Sequence, residues 1–128
     1  TLIFDEIDQG IGGRVGGTVG LKLWGLTVRN GGKGQKAAGA LRHQVLCITH
    51  LPQIASSASH HFRVEKRVKG GRTVTMVGPM TEEERRQELA QMLGGVSPAT
   101  LESAAELLRT AEEARKRGAQ GQTPRRKG

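Results

Sequence analysis

Aromatic residues and cysteine are scarce in this 128-residue chain. It has one Trp, two Phe and no Tyr, so any core must be aliphatic and modest. The single cysteine, Cys47, excludes an internal disulfide and favours a reducing, cytoplasmic setting. Because Val45, Leu46 and Ile48 surround it, we expect Cys47 to be a buried small hydrophobe. No apolar run approaches the roughly 18 residues that a membrane-spanning helix needs.

Acidic residues are absent from residues 9 to 64 and again from residue 115 to the end. Lys and Arg number 20 against 12 Asp and Glu, which gives a formal net charge of +8. Such a positive field favours polyanions, either nucleic acid or nucleotide phosphates. A solvated surface with a disordered basic tail would explain the same charge, so the charge alone leaves both interpretations open.

The first half of the chain predicts an α/β fold. Two short apolar strands, 1–5 and 44–49, have the pattern of a parallel sheet buried on both faces. A helix should follow each strand, over 14–28 and 51–57. Two such strands do not make a stable sheet, and the chain starts without Met, so we expect partner strands from an upstream part of the protein.

The second half predicts a β-hairpin and two helices. The hairpin strands, 62–68 and 72–77, flank Lys69-Gly70-Gly71. Thr81 and Glu84 form a capping box that opens a helix ending near Leu93, and Ser97-Pro98 begins the last helix. We predict an inserted glycine-rich loop at about 29–42 and a basic, disordered tail over 115–128. Four glycines in the first helix should weaken it by roughly 0.5–1 kcal/mol each relative to Ala; they are Gly16, Gly17, Gly20 and Gly25.

Carboxylates follow the first predicted strand: Asp5 and Glu6 adjoin its end, and Asp8 comes two residues later. Ligands of parallel sheets bind at the carboxyl ends of the strands. An aspartate there can hold Mg²⁺, and a neighbouring glutamate can polarise a water for attack on a γ-phosphate. A solvated acidic turn is the simpler interpretation of the same residues.

The second predicted strand ends in Thr49-His50. A histidine at that sheet edge could contact the γ-phosphate or the attacking water, although a histidine in this position is more often a surface or capping residue. The other three histidines, His43, His60 and His61, show no metal-ligand spacing, and we expect structural roles for them.

Together these segments resemble the C-terminal part of the RecN family, the bacterial SMC-like ATPases of DNA double-strand-break repair. The resemblance rests on LIFDEIDQGIGGRV, HQVLCITHLPQIAS, HHFRVEKRVKGGRTVT and EEERRQELAQMLGG. It implies that residues 1–114 are the C-terminal lobe of a P-loop, ABC-type head. Asp5 then matches the Walker B aspartate that organises Mg²⁺, Glu6 the catalytic glutamate, and His50 the switch histidine. Asp8, Gly10, Gly12 and Gly13 fall in the D-loop, at the interface between two heads.

The resemblance also implies what this chain needs from elsewhere. It contains neither a G-x-x-x-x-G-K-[ST] phosphate loop nor an ABC signature motif. We therefore expect ATP and Mg²⁺ binding to require the N-terminal half of the same head, and the isolated chain to be inactive. Expected partners are that half, a second head sandwiching ATP, and DNA in the bacterial nucleoid, with no membrane. Three alternatives stay open: the half-head of another ABC- or SMC-type ATPase, a small basic nucleic-acid-binding module without catalysis, and a partly degraded or truncated gene product without activity.

Overall fold

A computed structural model describes residues 1–28 and 42–119. The α/β prediction is confirmed in these ranges, and the predicted insert at 29–42 lies, except for Arg42, outside them. The elements follow the chain in this order: β1 (Leu2–Asp5), α1 (Gly13–Gly25), β2 (Val45–Ile48), α2 (Pro52–Ala55), β3 (Phe62–Lys69), β4 (Arg72–Pro79), α3 (Glu82–Met92) and α4 (Pro98–Ala119). Among the described helices, none combines the length and apolar character needed to cross a membrane.

Strands β1 and β2 pair in parallel, as predicted, with Leu2 opposite Val45 and Asp5 opposite Ile48. The expectation that both faces are buried is wrong for this chain. Side chains alternate between half-buried and exposed along both strands, and Ile3 is 69% exposed. Within the described residues the sheet consists of these two strands alone, and one of its faces is open to solvent. Cys47 is accordingly half-buried rather than buried.

Glycines allow α1 to pack closely against the segment that contains α2. A Cβ atom on Gly16 would lie 3.2 Å from Gln53 Cβ, and one on Gly20 only 2.5 Å from Ser57 Oγ. A Cβ on Gly17 or Gly25, by contrast, would meet no atom within 4 Å. The prediction that these glycines weaken α1 is therefore incomplete. Gly16 and Gly20 also permit a close approach of α1 to the α2 segment that larger residues would prevent.

The buried core lies between α3 and α4. Leu89, Ala90 and Ala104 are fully buried there, and Leu101 and Leu108 pack against them. The capping box that begins α3 is confirmed: Glu84 N donates to Thr81 Oγ1 (3.3 Å), and Thr81 N donates to Glu84 Oε2 (2.8 Å). Past the other end of α3, Gly94 and Gly95 adopt positive φ of 122° and 119°, as the predicted glycine stop requires.

Helix α4 continues to Ala119, which corrects the predicted start of a disordered tail at residue 115. Arg115 is fixed by tertiary contacts: its Nη1 donates to the carbonyl oxygens of Ser57 (3.0 Å) and Ala58 (2.9 Å). Arg85 on α3 donates to the same Ala58 oxygen (2.9 Å). Two guanidinium groups thus join α3 and α4 to the segment after α2. The remainder of the predicted tail, 120–128, lies outside the described residues.

Strands β3 and β4 form the predicted antiparallel hairpin, with Val64 opposite Val77 and Lys69 opposite Arg72. Gly70 and Gly71 close it with φ of 56° and 72°, the positive values of a type I′ turn. One face of the hairpin carries Arg63 and Glu65, and Arg63 Nε lies 3.5 Å from Glu88 Oε2 on α3. The opposite face carries exposed Val64 and Val77.

Candidate functional site

The parallel pairing of β1 and β2 brings two polar segments to one sheet edge. Asp5 lies opposite Ile48 in the register, so Glu6 follows the end of β1 where Thr49 follows the end of β2. Asp5, Glu6 and His50 are all exposed. The sequence predicted this arrangement, because the carboxyl ends of parallel strands meet at the same edge.

Asp8 connects the two segments. Its side chain is 1% exposed, and its Oδ2 accepts hydrogen bonds from Thr49 Oγ1, from His50 N (2.9 Å) and from Leu51 N (3.3 Å). Burial by itself raises the pKa of this carboxyl, but the hydrogen bonds from Thr49 and His50 outweigh it, so the pKa lies below its ordinary value. Asp8 is therefore a buried carboxylate that holds the start of the β2–α2 connection against the β1–α1 loop.

His50 is oriented by the same carboxylate. Its Nδ1 lies 3.1 Å from Asp8 Oδ2, while 77% of its side chain is exposed. The Asp8 carboxylate thus lies beside the Nδ1 edge of the ring. The Nε2 atom is then the ring nitrogen left for an external ligand. The sequence predicted His50 as a site residue but gave no sign that Asp8 would orient it.

Glu6 adopts an unusual backbone conformation. Its φ is 51°, and it is the only residue other than glycine with a positive φ in the described ranges. This left-handed conformation costs an L-residue roughly 1–2 kcal/mol, so the surrounding loop must enforce it. Gln9 Nε2 donates to Glu6 Oε2 at 2.7 Å. The chain thus turns sharply at Glu6, immediately after β1.

The glycines of the loop have distinct structural roles. Gly10 has a φ of 76°, and Gly12 is the extended residue that precedes α1. Gly13 begins α1, and a Cβ there would lie 3.1 Å from Gln53 Nε2. Gln53, for which the sequence suggested no role, therefore packs against the start of α1, across Gly13 and Gly16. Its position after the THLP segment was the only available signal.

Two other ionisable residues that the sequence analysis considered are His61 and Cys47. His61 is structural, as expected: its Nε2 donates to the carbonyl oxygen of Ala55 at 2.6 Å, and burial, reinforced by Arg85, lowers its pKa. Burial, with a smaller contribution from Asp8, raises the pKa of the Cys47 thiol. Within residues 1–28 and 42–119, no group of three or more His, Cys, Asp or Glu side chains could hold a metal ion by itself.

Comparison with known proteins identifies the relatives of this chain. It is 45% identical over 109 residues to the DNA repair protein RecN of Deinococcus radiodurans and 36% identical over 120 residues to RecN of Bacillus subtilis. These alignments cover 84% and 92% of the chain. The chain belongs to the RecN family. RecN of Xylella fastidiosa is 43% identical over 96 residues, which cover 75% of the chain.

The match is to the C-terminal part of RecN, as the motifs suggested. The chain spans only 15–19% of the length of these RecN relatives. No protein-family model matches the chain. The sequence left open that the chain is the half-head of another ABC- or SMC-type ATPase. Its membership of the RecN family excludes this alternative.

Proposed function

We propose that this chain is the C-terminal part of a RecN ATPase head, which uses ATP binding and hydrolysis in recombinational repair of DNA double-strand breaks. The observation that carries the proposal is the meeting of Asp5-Glu6 with Thr49-His50 at one sheet edge, joined through buried Asp8. Nucleotides bind at this edge in open α/β sheets. The protein would act in the bacterial cytoplasm, at the nucleoid.

Asp5 is the residue proposed to hold Mg²⁺. It is an exposed carboxylate at the end of β1, a donor that suits this hard cation. Mg²⁺ typically takes one or two carboxylates and completes its shell with phosphate oxygens and waters, so a single protein carboxylate beside bound ATP is sufficient. When bound, the metal would supply positive charge to the β- and γ-phosphates.

Glu6 and His50 are the proposed catalytic residues. The positive φ of Glu6 turns the chain out of the strand direction immediately after Asp5, which supports different tasks for the two adjacent carboxylates. Glu6 would polarise the attacking water, and His50 would contact the γ-phosphate through Nε2. Asp8 would keep that ring in one orientation, since its Oδ2 accepts from the backbone N of His50 and lies 3.1 Å from Nδ1.

The proposed partners follow from what the chain leaves exposed. Ile3, Leu46 and Ile48 are uncovered on one face of the two-stranded sheet, where strands and helices of the N-terminal half of the head would pack. That half would also bring the phosphate loop and signature motif. A second head would approach the loop at Gly10, Gly12 and Gly13. The buried Asp8 side chain would shape this loop from within rather than contact the second head.

The proposal is tested by combining the chain with a RecN N-terminal half that carries the phosphate loop and signature motif. We expect Mg²⁺-dependent ATP turnover by the mixture and none by either part alone. Glu6→Gln should abolish turnover, whereas Glu102→Gln, an exposed position on α4, should leave it unchanged. A stable complex without turnover, or turnover that survives Glu6→Gln, would overturn the proposal and favour the non-catalytic nucleic-acid-binding module.

A further inference from the structure

The β3–β4 hairpin carries a concentrated positive charge that the ATPase proposal does not use. Residues 62–79 contain five basic side chains and one acidic side chain. Glu65, the acidic one, is occupied by two of the five: Arg67 donates to it at 2.7 and 3.0 Å, and Arg63 at 3.2 Å. The remaining three cations are Lys66, Lys69 and Arg72.

These three cations are not neutralised within the chain. Throughout residues 1–28 and 42–119, none of them forms an ion pair with a carboxylate. Segments 29–41 and 120–128 contain no Asp or Glu that could supply one. The excess charge at the end of the hairpin therefore faces solvent.

The turn forces two of the cations together. Lys69 and Arg72 are the closing pair of the hairpin, directly opposite each other on either side of Gly70-Gly71. Such cross-strand partners have Cα atoms only about 4.5–5.5 Å apart, and like charges in this position destabilise a hairpin. Arg67 lies on the same face, two residues before Lys69. A local arrangement that opposes folding is typical of a functional surface.

The tip is also free to reach a large ligand. The contact of β3 with α3 is near its start, where Arg63 meets Glu88. Six residues further along β3, at about 3.3 Å per residue, Lys69 stands roughly 20 Å from that contact. Val68, beside it, is 77% exposed.

We propose that the hairpin tip, residues 66–72, binds the phosphate backbone of double-stranded DNA. The choice of DNA rests on the proposed function in DNA repair. Converging Lys and Arg side chains on a projecting ribbon suit phosphates, and phosphate contacts give affinity without sequence preference. A phosphate between Lys69 and Arg72 would relieve their mutual repulsion. The repulsion that destabilises the hairpin would therefore also favour phosphate binding.

The test measures the salt dependence of binding to a fluorescent, random-sequence duplex, with the purified protein as encoded. Each lost phosphate contact lowers the slope of log K against log salt by about 0.9, so Lys69→Ala/Arg72→Ala should lower it by about 1.8. Raising salt from about 50 to about 200 mM should then weaken the wild type about tenfold more than the variant. The control, Lys22→Ala/Arg109→Ala, removes the same charge from exposed positions on α1 and α4 and should retain the wild-type slope.

A stability measurement separates lost binding from lost folding. Because the paired cations repel each other, Lys69→Ala/Arg72→Ala should unfold at the same or a higher denaturant concentration than the wild type. An unchanged slope in Lys69→Ala/Arg72→Ala would overturn the proposal. An equal decrease of the slope in the control variant, or a slope that falls only when residues 120–128 are removed, would overturn it as well. Binding of anionic phospholipid vesicles in place of DNA would also overturn it. Glu6→Gln should retain the wild-type slope, so failure of the ATPase proposal is distinguishable from failure of this one.

Discussion

The close packing of α1 on the α2 segment predicts opposite effects for two glycine substitutions in the same helix. At Gly20, a new Cβ would lie 2.5 Å from Ser57 Oγ, 2.9 Å from Ser57 Cβ and 3.2 Å from the Cα of Ile54. Rotation of the Ser57 side chain can move its Oγ away, but Ser57 Cβ and Ile54 Cα move only with the backbone. The two segments must therefore separate.

The magnitude follows from two opposing contributions. Overpacking of this kind costs about 1–3 kcal/mol, whereas replacing a helical Gly by Ala gains about 0.5–1 kcal/mol. Gly20→Ala should thus destabilise the protein by about 1 kcal/mol, the centre of a range of about 0–2.5 kcal/mol. Gly17→Ala, where a Cβ meets nothing within 4 Å, retains only the gain and should stabilise it by about 0.5–1 kcal/mol.

Denaturant unfolding followed by fluorescence provides the assay. Trp24, the single tryptophan of the chain, lies on α1, so its emission reports on this helix. Ser57→Gly in the Gly20→Ala background should recover at least about 1 kcal/mol in a double-mutant cycle, because it removes both clashing side-chain atoms. If both alanine variants stabilised the protein equally, the close approach at Gly20 would be refuted.

Two further predictions concern the buried carboxylate and the helix cap. Asp8→Asn keeps one acceptor oxygen but loses the charge, so it should cost about 1 kcal/mol at pH 7. Because the folded-state pKa of Asp8 lies below its ordinary value, its contribution to the free energy of unfolding is present at neutral pH and is lost as the pH falls below about 4. A wild-type stability–pH profile parallel to that of the Asn variant between about pH 2 and 5 would contradict this. Thr81→Ala should cost about 1 kcal/mol, measured by thermal unfolding, because it removes the acceptor for Glu84 N. Thr110→Ala, at an exposed position within α4, is the control and should change stability by less than about 0.5 kcal/mol.

Most secondary structure could be predicted because its causes are local. The capping box at Thr81, the Gly70-Gly71 turn and the glycine stop after α3 each depend on a few adjacent residues, and all three are present in the structure. The helix that begins at Pro98 was misjudged only at its end. Arg115 looked like part of a solvated basic tail, but the carbonyl oxygens that accept its hydrogen bonds are 57 and 58 residues away in sequence.

The sequence by itself determined which residues follow the two parallel strands, and thereby the candidate site of Asp5, Glu6 and His50, because strand direction and adjacency require no knowledge of side-chain contacts. Only the tertiary structure decided the tasks of Asp8 and Gly20. An acidic residue in a glycine-rich loop resembles a solvated turn until the donors of Thr49, His50 and Leu51 are seen to converge on it. A helical glycine resembles a weak point until the neighbouring segment is seen to occupy the space of its missing side chain. Both depend on groups about 40 residues away along the chain, and local sequence carries no information about such distances.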